Sequence, residues 1–275
     1  MIIPDISIVS LTWNSEKHIE PFLKSLINDA SRSDIDIEII VIDNGSTDSS
    51  ISVLREYARK YCFVRFIPFS KNMGTTFSRN TAIKCASGEF ILVLDSDTIV
   101  CEKTLETLIN GYKSIERKPD TKISILHPLL IYPDGKFQES ARKFPTLASK
   151  FYRVFNMEER RRRTESIESV LQRKITRVDY AISAAWFMRK DIFDQVGYLD
   201  ERFFYAPEDA EFCARCWSMG YEVWYYPEAK IIHNCQRLTK KKPFSKLGLI
   251  HMKGLLRFWL RYHTKLSRIR VNYEG

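Results

Sequence analysis

The sequence has no uninterrupted apolar run approaching the roughly 18 residues that a membrane-spanning helix needs, so we expect no transmembrane segment. Its opening, Met1 to Asp5, is too short to act as a targeting signal. Cysteine is also scarce, with six residues in a chain of 275. Without a secretory signal, so few cysteines indicate a reducing compartment rather than a disulfide scaffold. We therefore expect a cytoplasmic protein, whose contact with a membrane can only be peripheral.

Phosphate-binding loops of the two common types are missing as well. The sequence contains neither a P-loop nor a Gly-x-Gly-x-x-Gly motif, which excludes phosphate binding by those routes. It shows no internal repeat and no low-complexity linker. With 44% apolar and 28% charged residues, the composition is that of a folded globular protein. The length of 275 residues corresponds to one large α/β domain or two small ones.

The net charge of +9 is unevenly distributed along the chain. Residues 236–275 hold eleven Lys or Arg and a single acid, whereas residues 1–235 have a balance of −1. From about Ser245 to Lys265, apolar and cationic residues interleave at helical spacing. Such an amphipathic helix suits either docking on the body of the protein or contact with an anionic bilayer. A basic tail also fits a nucleic-acid-binding protein, which is the main competing hypothesis.

Apolar segments of strand length alternate with helical patterns in residues 1–100. The predicted strands are Ile6 to Leu11, Ile37 to Ile42, Cys62 to Ile67 and Phe90 to Leu94. Buried strands separated by amphipathic helices predict an α/β fold with a Rossmann-like, mostly parallel sheet flanked by helices. In such sheets, ligands bind beyond the carboxyl ends of the strands.

Polar residues directly follow three of these strands. They are Thr12-Trp13-Asn14, Asp43-Asn44 and Asp95-Ser96-Asp97. Asp95 and Asp97 offer two carboxylates one residue apart, which can hold one Mg²⁺ or Mn²⁺ ion shared with substrate phosphates. The alternative is a turn in which an Asp caps the next helix, but the buried strand before it favours the metal site.

Further candidates for chemistry lie in the second half of the chain. Glu208 and Asp209 follow the aromatic segment Phe203 to Pro207, and a carboxylate beside aromatic rings can serve as a general base. Acids are also common at helix N-termini, which is the competing interpretation. His233 ends an apolar run and is either a metal ligand or a core histidine.

Cysteines near His233 offer an alternative metal site. Cys213, Cys216, His233 and Cys235 could together bind zinc. However, Cys213 and Cys216 fall inside a predicted amphipathic helix, so we interpret them as small core residues.

Several motifs, in order along the chain, resemble glycosyltransferase family 2. Those of the first half are Ser7-Ile8-Val9-Ser10-Leu11-Thr12-Trp13-Asn14, Val41-Ile42-Asp43-Asn44-Gly45-Ser46-Thr47-Asp48, Asn72-x-Gly74, Arg79-Asn80 and Leu94-Asp95-Ser96-Asp97. Those of the second half are Phe187 to Phe193, Val196 to Phe204, Pro207-Glu208-Asp209 and Tyr226 to His233. The second set is most similar to the rhamnosyltransferase-like branch, and the match covers about Ile6 to His233.

The resemblance implies a GT-A fold and an inverting transfer of a sugar from a nucleoside-diphosphate donor. The residues implied to bind the nucleotide sugar are Thr12, Asn14, Asp43, Asn44, Ser46, Asn72, Gly74, Arg79, Asn80, Asp95 and Ser96. Asp95, Asp97 and His233 are the implied ligands of Mg²⁺ or Mn²⁺. Asp209 would be the catalytic base, with Glu208 beside it.

On the acceptor side, the candidates are Tyr205 and Trp186, whose ring could stack on an acceptor sugar, although a core position suits Trp186 equally well. The implied domain division is a catalytic domain over residues 1–235 and a basic amphipathic tail over residues 236–275. Within the catalytic domain, residues 1–100 would bind the nucleotide sugar and residues 101–235 would form the acceptor-side half. The acceptor would be a saccharide or a lipid-linked acceptor in cell-envelope polysaccharide synthesis, and the tail could either dock on the body or contact the cytoplasmic face of the membrane.

Two segments depart from the family's usual pattern, at residues 182–186 and 234–238, and they leave the sugar and the acceptor open. The donor would be dTDP-rhamnose-like or a UDP-hexose. A nucleic-acid-binding protein would leave the acidic strand ends unexplained, so we expect no nucleic acid as partner. A catalytically inactive scaffold of the same fold is the other alternative, and the intact Asp95, Asp97 and Asp209 count against it.

Overall fold

The computed structural model describes residues 3–146, 157–235 and 246–266. Its strands are β1 (Ile6–Thr12), β2 (Ile37–Asp43), β3 (Val64–Pro68), β4 (Phe90–Asp95), β5 (Thr98–Val100), β6 (Ile123–Ile131), β7 (Ala141–Arg142), β8 (Thr176–Arg177), β9 (Tyr180–Ala181), β10 (Ala185–Arg189) and β11 (Glu222–His233). Its helices are α1 (Glu16–Ser33), α2 (Ser50–Lys60), α3 (Thr75–Cys85), α4 (Thr104–Glu116), α5 (Glu158–Glu165), α6 (Glu168–Leu171), α7 (Ile192–Val196), α8 (Glu208–Ser218) and α9 (Lys246–Leu266).

One nine-stranded sheet organises the described residues, with the order β3-β2-β1-β4-β10-β6-β11-β5 and β8 paired to β11. The four strands predicted from residues 1–100 form its parallel side, in the order β3-β2-β1-β4. Nearly every residue of β1, β2 and β4 is buried. Strands buried on both faces are characteristic of parallel sheets covered by helices, so the predicted α/β fold with a mostly parallel sheet is confirmed.

Antiparallel strands enter the sheet only on its other side. Strand β10 runs antiparallel between β4 and β6, where Phe187 pairs with both Leu92 and Leu126. Strand β11 is parallel to β6 and antiparallel to β5. This single sheet includes strands from before and after residue 100. The division of the catalytic domain into a nucleotide-sugar-binding half and an acceptor-side half at that residue stays a prediction. Between Tyr180 and Arg189, the chain forms the two short strands β9 and β10.

Trp186 lies in the hydrophobic core. Its side chain is fully buried, its Nε1 donates a hydrogen bond to the Ala181 carbonyl at 3.0 Å, and its ring stacks on Phe212 at 5.5 Å between centroids. A ring enclosed in this way cannot face an acceptor sugar. The prediction of Trp186 as an acceptor contact is therefore wrong, because its apolar surface is used to pack β10 against α8.

The amphipathic segment predicted from Ser245 to Lys265 corresponds to α9, which packs on α8. The remaining parts of the predicted tail, residues 236–245 and 267–275, lie outside the described residues. In the part of the chain that the structure covers, no helix combines the length and apolarity needed to cross a membrane.

Candidate functional site

The carboxyl ends of the central strands bring the predicted polar residues to one edge of the sheet. In the parallel register, Thr12 pairs with Asp43, and Leu11 pairs with Asp95. Because β10 is antiparallel to β4, its beginning lies at the same edge, and the Asp95 N–H donates to the Ala184 carbonyl at 3.1 Å. Residues from both halves of the sequence therefore meet where ligands of open α/β sheets bind.

A buried arginine joins the Asp95 motif to the start of α8. Arg79, on α3, is 2% exposed and directs its guanidinium at two carboxylates. Its Nη2 donates to Asp95 Oδ1 at 2.6 Å, and its Nη1 donates to Glu208 Oε1 at 3.1 Å. Ser183 Oγ accepts from the same Nη1 at 2.5 Å and donates to Glu208 Oε1 at 2.9 Å. Arg79 thus fixes the relative positions of Asp95 and Glu208, which are far apart in sequence.

Asp95, Asp97 and His233 form a candidate metal centre. One ligand atom from each residue lies within 4.8 Å of the others, with His233 Nε2 at 3.4 Å from Asp97 Oδ1 and 4.0 Å from Asp95 Oδ2. On its other side, His233 Nδ1 lies 3.1 Å from Gln138 Oε1. An amide oxygen only accepts, so Nδ1 carries a proton in this contact, and Nε2 faces the two aspartates, where the neutral imidazole would offer it to a metal.

Burial and neighbouring charges shift the pKa values of Asp95 and His233. Removal from solvent raises the pKa of Asp95, and the charge of Asp97 raises it further, against the lowering effect of Arg79. Burial lowers the pKa of His233, but its interactions with Asp97 and Asp95 outweigh burial and raise the pKa overall. A divalent cation between the carboxylates would relieve their repulsion, so the residues present fit a bound metal.

Glu208 and Asp209 begin α8 beside this cluster. Glu208 is 5% exposed, and Asp209 is half-buried, with its Oδ1 accepting a hydrogen bond from the Ala210 N–H at 2.7 Å. Tyr205 precedes them and feels their charges. Burial raises its pKa, and the charges of Glu208, Asp95 and Asp209 add to the rise. Through Arg79, the start of α8 is therefore joined to the predicted metal ligands, and Asp209 is the next residue after Glu208.

The ends of β1 and β2 hold buried polar atoms without partners. Within the described ranges, neither Thr12 Oγ1 nor Asp43 Oδ1 has a hydrogen-bond partner, although both residues are fully buried. Native proteins rarely leave such atoms unpaired unless a ligand or water completes them. The second oxygen of Asp43 accepts from the Ser46 N–H at 3.1 Å. At this end of the site, two buried oxygen atoms are therefore available to hydrogen-bond a ligand.

Other predicted nucleotide contacts hold the surrounding loops together. Asn14, with a left-handed φ of 51°, accepts from the Thr47 N–H at 2.8 Å, and its own N–H donates to Ser46 Oγ at 2.9 Å. Asn44 donates to Asn72 Oδ1 at 3.1 Å and accepts from the Met73 N–H at 2.8 Å. These bonds connect the loops after β1, β2 and β3.

Gly74 is required at its position because a Cβ there would lie 2.6 Å from the Phe204 carbonyl oxygen, and its φ is +89°. The Asn80 side chain bonds to Leu199 and Glu201, which belong to the predicted acceptor-side half. Ser96 Oγ is buried and lies 3.4 Å from Ser15 Oγ. Direct contact of these residues with a nucleotide stays a prediction.

Sequence reasoning did not single out Gln138 and Ser183 as site residues. Each acts through a partner distant in sequence, His233 for Gln138 and Arg79 for Ser183, so no local motif marks them. The zinc alternative receives no support, because His233 groups with aspartates and both Cys213 and Cys216 are buried in α8. Burial raises the pKa of both thiols, which makes them poor ligands.

Known proteins resemble this chain in sequence and in fold. A family model described as Glycosyl transferase family 2 matches residues 7–197. The N-acetylglucosaminyl-diphospho-decaprenol L-rhamnosyltransferase of Mycobacterium tuberculosis is 26% identical over 267 residues, 90% of this chain and 81% of the relative. The cholesterol galactosyltransferase of Borreliella burgdorferi is 34% identical over 109 residues, 40% of this chain and 29% of the relative.

Among solved structures, the crystal structure of GalNAc-T7 with UDP, GalNAc and Mn²⁺ has a TM-score of 0.69 and 16% sequence identity. The match covers 96% of this chain and 50% of that one. At this identity the likeness concerns the fold, which is that of GT-A glycosyltransferases. The chain spans most of the rhamnosyltransferase, half of GalNAc-T7 and less than a third of the galactosyltransferase.

Proposed function

Because the chain belongs to glycosyl transferase family 2, we propose that it transfers a sugar from a nucleoside-diphosphate donor to a hydroxyl of a saccharide or lipid-linked acceptor, with inversion. The observation that carries this proposal is the link made by Arg79. It connects Asp95 of the candidate metal centre to Glu208, the neighbour of the candidate base Asp209. This link supports an arrangement in which leaving-group stabilisation and proton removal share one site.

Each residue has a role that follows from its chemistry. The hydroxyl oxygen of the acceptor bonds to the anomeric carbon of the donor sugar while the bond from that carbon to the diphosphate breaks. Asp209 takes the proton that the hydroxyl loses. Glu208 is a positioning residue, since its contacts are with Arg79 and Ser183. Tyr205 borders the acceptor. A tight arrangement of donor and acceptor around these groups supplies much of the remaining rate enhancement.

Asp95, Asp97 and His233 would hold the divalent cation, which neutralises the charge that develops on the departing diphosphate. Mg²⁺ is bound in proteins mainly through oxygen, so the imidazole nitrogen in this set favours Mn²⁺. The unpaired Thr12 Oγ1 and Asp43 Oδ1 support a nucleoside site at the ends of β1 and β2, because ribose hydroxyls or a base N–H could complete them.

Two of the relatives support the substrate assignment. One relative acts on a diphospho-decaprenol-linked sugar and the other on cholesterol, so both take lipid acceptors. We propose a lipid-linked acceptor in cell-envelope polysaccharide synthesis, with dTDP-rhamnose or a UDP-hexose as donor. A catalytic domain over residues 1–235 and peripheral membrane contact through residues 236–275 belong to the same proposal.

The two alternatives receive less support. The excess positive charge is confined to residues 236–275, and the ligand-binding edge of the sheet is acidic, which disfavours nucleic acid as partner. An inactive scaffold would not need the buried Arg79 network, since burying charges carries a desolvation cost.

Replacing Asp97 with Asn tests the proposal directly. UDP is expected to raise the melting temperature of the wild type when Mn²⁺ is present and not when EDTA is present. In Asp97→Asn, loss of a charged ligand should weaken the Mn²⁺-dependent UDP binding by at least tenfold, measured by calorimetry. Glu102→Gln, which removes an exposed carboxylate elsewhere, is the control. Metal-independent UDP binding, equal in wild type and Asp97→Asn, would overturn the assignment of the metal centre.

Gln138→Leu should weaken Mn²⁺ binding by about 10–100-fold, although Gln138 is not a ligand. Leu lacks the oxygen that accepts from His233 Nδ1, so the imidazole loses the partner that orients Nε2 toward Asp97. Glu at the same position keeps an acceptor oxygen and should retain most of the affinity. Direct Mn²⁺ titration followed by electron paramagnetic resonance measures both variants. Equal affinity in Gln138→Leu and wild type would show that this contact does not orient His233.

A further inference from the structure

The outward side of α9 displays a row of large apolar side chains. Leu249, Met252, Leu256 and Leu260 are 57%, 58%, 58% and 60% exposed. Their spacing of three and four residues places them within an arc of about 80° on the helix. We call them the outer row. Contiguous exposed apolar side chains of this size mark a contact surface.

Docking on the body does not account for the outer row. The opposite side of α9 makes the docking contact, where Phe258 and Tyr262 are both 2% exposed. Tyr262 donates from its hydroxyl to Glu211 Oε1 of α8 at 2.8 Å, and a Cβ at Gly254 would lie 2.8 Å from the Ala206 carbonyl oxygen. The helix therefore has two apolar sides, and only one of them is buried against the protein.

We propose that the outer row binds the surface of an anionic lipid bilayer. The segment that contains it, residues 236–275, has eleven basic residues and one acidic residue. Exposed Lys253 lies beside the row. An apolar side bordered by cations fits the boundary between anionic headgroups and acyl chains. A second copy of the chain is a poorer occupant, because it would bring two strongly cationic segments together.

The position of α9 connects this surface to the catalytic site, and this step rests on the proposed function. The docked side of the helix contacts the segment Tyr205 to Pro207, which leads directly into Glu208 and Asp209. A helix with side chains is about 10–12 Å across. A bilayer against the outer row would therefore lie about one helix diameter from that segment. A lipid-linked sugar could extend from the membrane surface over this distance to the candidate base.

Cosedimentation of the full chain with vesicles tests the membrane surface. The wild type should bind phosphatidylcholine vesicles that contain about a third phosphatidylglycerol, and should bind pure phosphatidylcholine far more weakly. The variant Leu249→Gln/Leu256→Gln/Leu260→Gln should bind the anionic vesicles about a hundredfold more weakly, since three apolar side chains are lost without a change in charge. The matched control is Ile3→Gln/Leu171→Gln/Met219→Gln, which replaces three exposed apolar side chains outside α9 and should bind like the wild type.

Calorimetric binding of UDP and of dTDP in the presence of Mn²⁺ separates the membrane-surface proposal from the proposed function. Retained UDP binding in the outer-row variant, together with lost vesicle binding, supports the membrane surface. Equal vesicle binding by the wild type, the outer-row variant and the control would overturn it, as would a dimer in analytical ultracentrifugation that the outer-row variant dissociates. If the wild type binds vesicles but neither UDP nor dTDP, the proposed function fails and the assignment of the surface stands.

Discussion

Asp209→Asn is expected to reduce sugar transfer by about 10²–10⁴-fold while leaving Mn²⁺-dependent UDP binding unchanged. The amide has the size of the carboxylate and keeps an oxygen for the Ala210 N–H, but it cannot take the acceptor proton. Transfer to a panel of lipid-linked and soluble acceptors, measured beside UDP affinity in the same preparation, checks both expectations.

The competing interpretation of Asp209 is an acid at a helix N-terminus, which would contribute about 0.3–1 kcal/mol of stability and nothing to catalysis. Asp194→Asn is the matched control, because Asp194 is an exposed acid in the first turn of α7. It should cost a similar small amount of stability and leave transfer intact. If Asp209→Asn behaves like Asp194→Asn in both measurements, Asp209 is not the base.

Arg79→Met is expected to lower the free energy of unfolding by about 3–5 kcal/mol. The side chain of Arg79 is 3% exposed, and its removal leaves the buried carboxylate of Glu208 with no cation and Asp95 beside the charge of Asp97. Burying an unpaired charge costs more than the ion pair itself contributes. Urea unfolding followed by circular dichroism measures the difference.

Arg65→Met provides the contrast, since Arg65 forms an ion pair of 2.7 Å with Glu38 but its side chain is 52% exposed. Solvent screens that pair, so we expect a loss of no more than about 1 kcal/mol. In the Arg79→Met background, Glu208→Gln should recover part of the lost stability by removing the unpaired charge. Equal losses in Arg79→Met and Arg65→Met, with no recovery, would contradict the role assigned to the buried network.

The sequence allowed the parallel side of the fold to be predicted because its signals are local. Four apolar segments of strand length, each followed by a helical pattern, became β1 to β4 with small differences in their bounds. The place of the site followed from the same pattern, since the polar residues after buried strands meet at one edge of a parallel sheet. The pairing of β10 between β4 and β6 was not predictable, because an antiparallel insertion depends on contacts far apart in sequence.

The sequence by itself determined the residue types of the site, with Asp95, Asp97 and His233 as the candidate metal ligands and Asp209 as the candidate base. Only the tertiary structure decided how they are held, through Arg79 to Glu208 and through Gln138 to His233, because those contacts join residues distant along the chain. It also decided between the two positions that the sequence left open for Trp186, a contact with the acceptor or the core, and placed the side chain in the core. For the basic tail, the sequence predicted an amphipathic helix, and packing decided which apolar side of α9 is buried and which remains exposed.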